Sequence, residues 1–206
     1  MEKIAVIPVR SGSKRLPKKN YRQFNHRNLP EIARNKCLEA GIFDKIVITS
    51  DDPFFETLVN SDQVEFLLRD QSLTSDKATT DEVIDFLFTK FPFCESILWV
   101  NSVSPLQTTQ DIRDCGIRLN DPKIDCVMAV NTLYQHCCLA GEPLNFDPNN
   151  AFEATQNLEP ILRYVYSCMG WKRETYIKDR NNGFKGLFPG NMALVEVSAL
   201  AGMLIK

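Results

Sequence analysis

Ile4-Ala5-Val6-Ile7-Pro8-Val9, followed by Arg10-Ser11-Gly12-Ser13-Lys14-Arg15-Leu16-Pro17-Lys18-Lys19-Asn20, decides how this chain is read. The first six residues are continuously apolar, the pattern of a strand covered on both faces. The loop behind them opens with Ser-Gly-Ser and carries five basic side chains. Small residues let an oxygen-rich ligand reach backbone N–H groups, and Arg and Lys supply fixed charge for a polyphosphate. The loop matches neither G-x-x-x-x-G-K-[ST] nor G-x-G-x-x-G, so it is neither a Walker P-loop nor a standard dinucleotide turn. On these residues alone, a solvated basic loop is the competing reading.

Outward from that stretch, two periodicities alternate. Leu29, Ile32, Ala33, Lys36, Cys37 and Ala40 recur at helical spacing, and Gly41 stops the helix. Residues 45–49, 64–68, 96–100 and 126–130 are short strand-like runs. Between them, residues 51–60, with Asp51-Asp52-Pro53 as cap, and segments starting near Thr80 and Thr109 read as helices. This succession predicts a mostly parallel sheet between helices, with ligands at the carboxyl ends of the strands, where the loops after Val9, Thr49 and Val100 lie. After about Thr132 the rhythm fails. Residues 162–166 look extended and 192–197 form another apolar strand, but 142–163 contain three Pro and four Asn without a sustained period. Residues 133–173 therefore read as an insertion projecting from a single domain spanning 1–206, a candidate dimerisation arm. An irregular loop packed on its own subunit is the alternative.

Composition sets the outer bounds. Of 206 residues, 44% are hydrophobic and 24% charged, as in a folded globular domain rather than a disordered chain. The 24 Lys and Arg nearly balance the 26 Asp and Glu, so no global field draws the protein to nucleic acid or to an anionic membrane. No apolar run approaches the roughly 20 residues of a spanning helix, and the N-terminus does not read as a signal peptide. Seven irregularly spaced cysteines without a secretory signal read as reduced, mostly buried thiols in a cytoplasmic protein.

The opening loop resembles the R-S-G-S-K-x-x-P-x-K-N signature of the acylneuraminate cytidylyltransferase family. The likeness continues through 42–52, similar to that family's second strand and its S-T-D-D-like end. It runs on through Phe66 to Arg69 with 73–76, and through 102–112, which resembles Q-P-T-S-P-L-R-x-x-x-D-I. It is continuous over 3–131. The resemblance implies a three-layer α/β/α nucleotide-diphospho-sugar transferase-like fold, a homodimer and Mg²⁺. It implies transfer of CMP from CTP to a nonulosonic, sialic acid-like sugar acid with release of pyrophosphate. Carried over by position, Arg10, Ser13 and Lys14 would hold phosphates, with Arg10 and Lys14 catalytic and Ser11 and Gly12 in the same nucleotide-binding turn. Asn20, Arg69 and Thr79 would line the nucleotide pocket. Asn101 would face nucleotide or substrate, and Ser104, Gln156 and Tyr164 the sugar acid.

The departures from the family pattern are local. Asn101, Ser102, Val103 and Gln107 stand where the family has Gln, Pro, Thr and Arg. Only Gln156 survives of an R-x-Q element, and Glu153 beside it would repel a carboxylate sugar. At the end, Leu204-Ile205-Lys206 replaces a D-I-D whose carboxylates bind Mg²⁺. Three explanations stay open: other carboxylates such as Asp51 or Asp52 hold the ion with the triphosphate; Lys206 stands in for part of its charge; or a non-catalytic homologue keeps only a nucleotide or sugar site. A glycosyltransferase-like use of Asp51-Asp52 with a metal is a further alternative. His136-Cys137-Cys138 puts three possible ligands in a row, but neighbours on a strand point to opposite faces. Tyr164, Tyr166 and Trp171 read as an apolar dimer contact before a stacking platform.

Overall fold

The structure is a computed structural model describing residues 2–13, 15–75, 77–184 and 186–205. Seven strands form one sheet: β1 (Glu2–Pro8), β2 (Lys45–Ser50), β3 (Val64–Leu68), β4 (Cys94–Val100), β5 (Cys126–Leu133), β6 (Ile161–Lys172) and β7 (Met192–Glu196). Their spatial order is β7-β5-β6-β4-β1-β2-β3, parallel throughout except for β6, which runs antiparallel to both neighbours. Among the described residues the α-helices are α1 (Leu29–Ala40), α2 (Thr80–Lys90), α3 (Thr109–Leu119) and α4 (Arg173–Asn181). The predicted α/β layering is what folds.

Burial explains the continuous apolar run at the start. β1 sits between β2 and β4, so Ile4, Ala5, Val6 and Ile7 alternate between two cores and all are fully buried. One core gathers Ala5 and Ile7 with Ala33, Cys37 and Ala40 of α1 and Ile112, Cys115 and Leu119 of α3. The other gathers Ile4 and Val6 with Val83, Ile84, Leu87 and Phe88 of α2 and Tyr176 of α4. Each such Ile or Leu contributes about 1.5–3 kcal/mol relative to exposure.

The helix ends follow local chemistry. Asn28 Oδ1 accepts from Glu31 N at 2.9 Å at the start of α1, and Gly41, at φ 65°, ends it in the left-handed conformation. The helix expected over 51–60 is a 3-10 segment, Pro53–Leu58, capped by Asp52. α4 was not legible by period, because only Tyr176 of its nine residues is buried.

The projecting arm expected over 133–173 meets a different arrangement at its end. Residues 161–172 are β6, inserted between β4 and β5, with Cys168, Met169 and Trp171 in the cores. A register shift between Tyr164 and Met169 breaks the two-residue alternation that would have betrayed the strand. Gly170 belongs here because a Cβ would lie 2.8–2.9 Å from Leu119, Leu98 and Val127. Trp171, read as a contact residue, is fully buried, and its Nε1 donates to the Leu187 carbonyl at 2.7 Å. The part outside the sheet is 134–160, with one short antiparallel pairing of 138–139 with 142–143.

Candidate functional site

A cavity of about 310 Å³ opens at the carboxyl ends of β1, β3 and β4, within the size range of small-ligand pockets. Its wall is built from five pieces: Pro8 to Arg10 and Gly12 behind β1 with Lys19 and Asn20; Arg69 behind β3; Leu73 to Ser75; Ala78 to Thr80 with Val83 at the start of α2; and Trp99 with Asn101 to Val103 at the end of β4. Of the residues expected to bind nucleotide, Arg10, Gly12, Asn20, Arg69, Thr79 and Asn101 come together in this wall. They come from four separate stretches of chain, and the parallel sheet brings them to one edge.

Support from behind shapes the turn. Asp51 Oδ1 accepts from Ser11 N at 2.8 Å and Oδ2 from Ser11 Oγ at 2.6 Å. Burial works against the Asp51 carboxylate, but the Ser11 hydroxyl and amide, with Arg69 nearby, hold its pKa below the ordinary value. Ser11 is therefore turned toward β2 and does not line the cavity. Asp52 accepts from Phe54 N and from the Tyr21 hydroxyl. The Asp51-Asp52 pair, one candidate for holding metal, thus braces the loop. A Cβ on Gly12 would meet no protein atom within 4 Å, so packing does not require glycine there.

Two wall residues carry unmet hydrogen-bonding capacity. Asn20 is 5% exposed; its Nδ2 donates to the Arg10 carbonyl at 3.0 Å, leaving Oδ1 without a partner. Arg69 is also 5% exposed; its Nη2 donates to the Val9 carbonyl at 2.8 Å, and its Nε has no partner. Burial pushes the Arg69 guanidinium down to about 10, with Asp51 pulling the other way, so it stays charged at neutral pH. Orphaned buried donors and acceptors are costly, and a ligand supplying partners relieves that cost. The amino end of α2, capped by Thr79 and Glu82, also faces this space and favours negative charge.

Lys19 is the charged wall residue the sequence reading passed over, though it lay in the quoted loop. Its Nζ donates to the Ile205 carbonyl at 3.0 Å, and Ile205 N donates to the Val103 carbonyl at 2.9 Å. The segment 203–205 is thereby fastened to the cavity rim. Burial, then the charges of Arg10 and Arg15, lower the Lys19 pKa. Lys14 and Lys206, both weighed as cations, lie outside the described residues.

Other expected positions stand apart. Ser13 is not among the lining residues. Ser104 is 1% exposed beneath the 101–107 turn, where its amide donates to the Asn101 carbonyl at 3.1 Å. Gln156 sits in an exposed turn over 155–157, and Tyr164 lies on β6 opposite Val130; neither lines the cavity. Among the described residues, no group of three His, Cys, Asp or Glu side chains is placed to hold a metal ion. Cys138 is exposed, and the other Cys outside 137–138 are buried free thiols. No helix among the described residues is long and apolar enough to cross a membrane.

Sheet order, strand-end cavity and cationic wall together define a nucleotidyltransferase-type α/β domain. The chain belongs to the cytidylyltransferase family, whose model matches residues 4–159. It is 24% identical over 180 residues to the N-acylneuraminate cytidylyltransferase of Escherichia coli O18:K1:H7 (strain RS218 / NMEC), covering 87% of this chain and 40% of that protein. It is 28% identical over 170 residues to the pseudaminic acid cytidylyltransferase of Campylobacter jejuni subsp. jejuni serotype O:2, covering 81% of this chain and 63% of that one. The chain thus spans less than two thirds of the length of either relative. A solved structure of CMP:2-keto-3-deoxy-manno-octonic acid synthetase complexed with CTP shares the fold, with a TM-score of 0.70 at 12% identity over 95% of this chain and 90% of that one.

Proposed function

We propose that this protein transfers CMP from CTP to a nonulosonic, sialic acid-like sugar acid. The sugar's anomeric oxygen attacks the α-phosphorus, the bond to the β-phosphate oxygen breaks, pyrophosphate leaves, and the attacking hydroxyl loses its proton. Such a reaction asks the protein chiefly for alignment and for neutralisation of growing negative charge. The observation that carries the reading is the cavity wall, where Arg10, Lys19 and Arg69 meet the unpartnered polar atoms of Asn20 and Arg69. Arg10, Lys19 and the turn through Gly12 would receive the phosphates. Asn20 Oδ1, an acceptor, would take a donor from ribose or base. Thr79 and the start of α2 would border the nucleotide, and Asn101 to Val103 the acceptor sugar. Gln156 and Tyr164 would act on the sugar acid only through a second subunit or a rearranged 134–160 segment, and Ser104, buried beneath the 101–107 turn, only by shaping that turn.

The Mg²⁺ expected from the family finds no carboxylate seat in the described wall, so no step is assigned to it here. Self-association is supported by Leu162, Tyr164 and Tyr166, alternate and exposed on one face of β6, beside exposed Met192 and Leu194 on β7. Free thiols agree with a cytoplasmic setting. Activity is tested by incubating the protein with CTP, Mg²⁺ and a panel of sialic, pseudaminic, legionaminic and deoxy-octulosonic acids. Acid-dependent pyrophosphate release is the expected result. CTP binding without release from any acid would point to the non-catalytic alternative, which family membership and the formed cavity do not favour.

A further inference from the structure

The described wall of the cavity carries three cations and no carboxylate. The described acidic side chains on the loops around it each accept hydrogen bonds from the protein itself, and Asp76 lies outside the described residues. Asp51 receives Ser11 N and Ser11 Oγ on its two oxygens. Asp52 receives Phe54 N and the Tyr21 hydroxyl. Asp111 Oδ1 accepts from Ser198 N at 2.8 Å, and its Oδ2 from Thr108 N at 2.6 Å and Ser198 Oγ at 2.8 Å. Asp70 caps the 71–74 turn through Ser72 N, and Glu82 Oε2 accepts from Thr79 N and Oγ1. Hard divalent cations require such oxygens. Withdrawing Asp51 or Asp111 to serve one would strip the supports of the phosphate turn or of the 198–205 segment.

We propose that the described wall of this cavity seats no divalent ion on protein carboxylates and captures its nucleotide on its own cations, Arg10, Lys19 and Arg69. The inference rests on the CTP reading above and deepens it. Charge that a metal would bring is built into the wall, partly desolvated, where it attracts a polyanion more strongly than at an open surface. Lys19 is fixed at the rim by the Ile205 carbonyl, which keeps its ammonium charge at the mouth of the cavity. A divalent ion carried in with the triphosphate would find no carboxylate in the described wall to add to its own ligands.

Two measurements test this. Mn²⁺ alone is titrated into the protein and followed by electron paramagnetic resonance. The expected result is an undiminished free-ion signal at about millimolar Mn²⁺; saturable loss of signal at micromolar Mn²⁺ overturns the proposal. CTP is then titrated calorimetrically in excess EDTA and in excess Mg²⁺. The two affinities should agree within about threefold, and Lys19→Met should weaken both alike, by about tenfold or more. Binding in Mg²⁺ but at least about thirtyfold weaker in EDTA overturns the inference while leaving the CTP reading intact. Binding in neither condition removes the CTP reading and this inference with it.

Discussion

Replacing Lys19 by Met keeps the length and apolar stem of the side chain and removes its charge. In the free protein two effects oppose each other. The Nζ bond to the Ile205 carbonyl is lost, at a cost of about 0.5–1.5 kcal/mol. Against that, a half-buried ammonium crowded by Arg10 and Arg15 is gone, which relieves desolvation and like-charge repulsion. Because the group is half in water, that relief is modest, and the unfolding free energy should move by less than about 1 kcal/mol. Binding has no such offset. A charge-assisted bond to phosphate is worth about 1.5–3 kcal/mol, so CTP affinity should fall about 10- to 150-fold. The pH response adds a signature. Binding prefers the protonated amine, so wild-type affinity should decline as pH rises through the lowered Lys19 pKa, and the variant should lose that decline. Calorimetric titration against pH reads both effects. Affinity within about twofold of wild type, with the alkaline decline unchanged, would refute the placement of Lys19 on the phosphates.

Asp51→Ala unties Ser11 and should lower stability by about 1–3 kcal/mol, seen as a reduced denaturant midpoint. Because the folded Asp51 and Asp111 pKa values are depressed, their stabilisation is full above the ordinary 3.8 and is lost as pH falls through the folded values; Asp51→Ala should flatten part of that acid slope in equilibrium unfolding. Gly170→Ala forces a methyl against Leu119, Leu98 and Val127 and should cost about 1–3 kcal/mol, read by thermal melting. Arg69→Met should weaken CTP capture by at least about tenfold, since its Nε then offers nothing to the ligand; unchanged affinity would place the nucleotide elsewhere.

The parallel sheet was legible because its strands are buried on both faces, and continuous runs such as Ile4 to Val9 survive without any alternation to decode. β6 was legible only in part: 162–166 read as extended, but its register shift and Gly170 interrupt the period and hid its continuation to Lys172. α4 was hidden for the opposite reason, a helix resting on the core through Tyr176 almost alone. In the site, motif positions led to Arg10, Gly12, Asn20, Arg69, Thr79 and Asn101, all of which reach the cavity. Ser11 was named for the ligand but faces Asp51, since adjacent loop residues point different ways and spacing cannot say which faces in. Lys19 was missed although it was the fifth basic residue of the opening loop. Its placement depends on Ile205, 186 positions away, a contact that no local pattern carries.

The most direct measurement is a crystal structure of the protein grown with CTP. The triphosphate should lie against the turn from Arg10 to Gly12 and the Lys19 ammonium, with a donor of the nucleoside on Asn20 Oδ1. Nucleotide bound on another surface, with this cavity left to solvent, would contradict the assigned activity at its foundation.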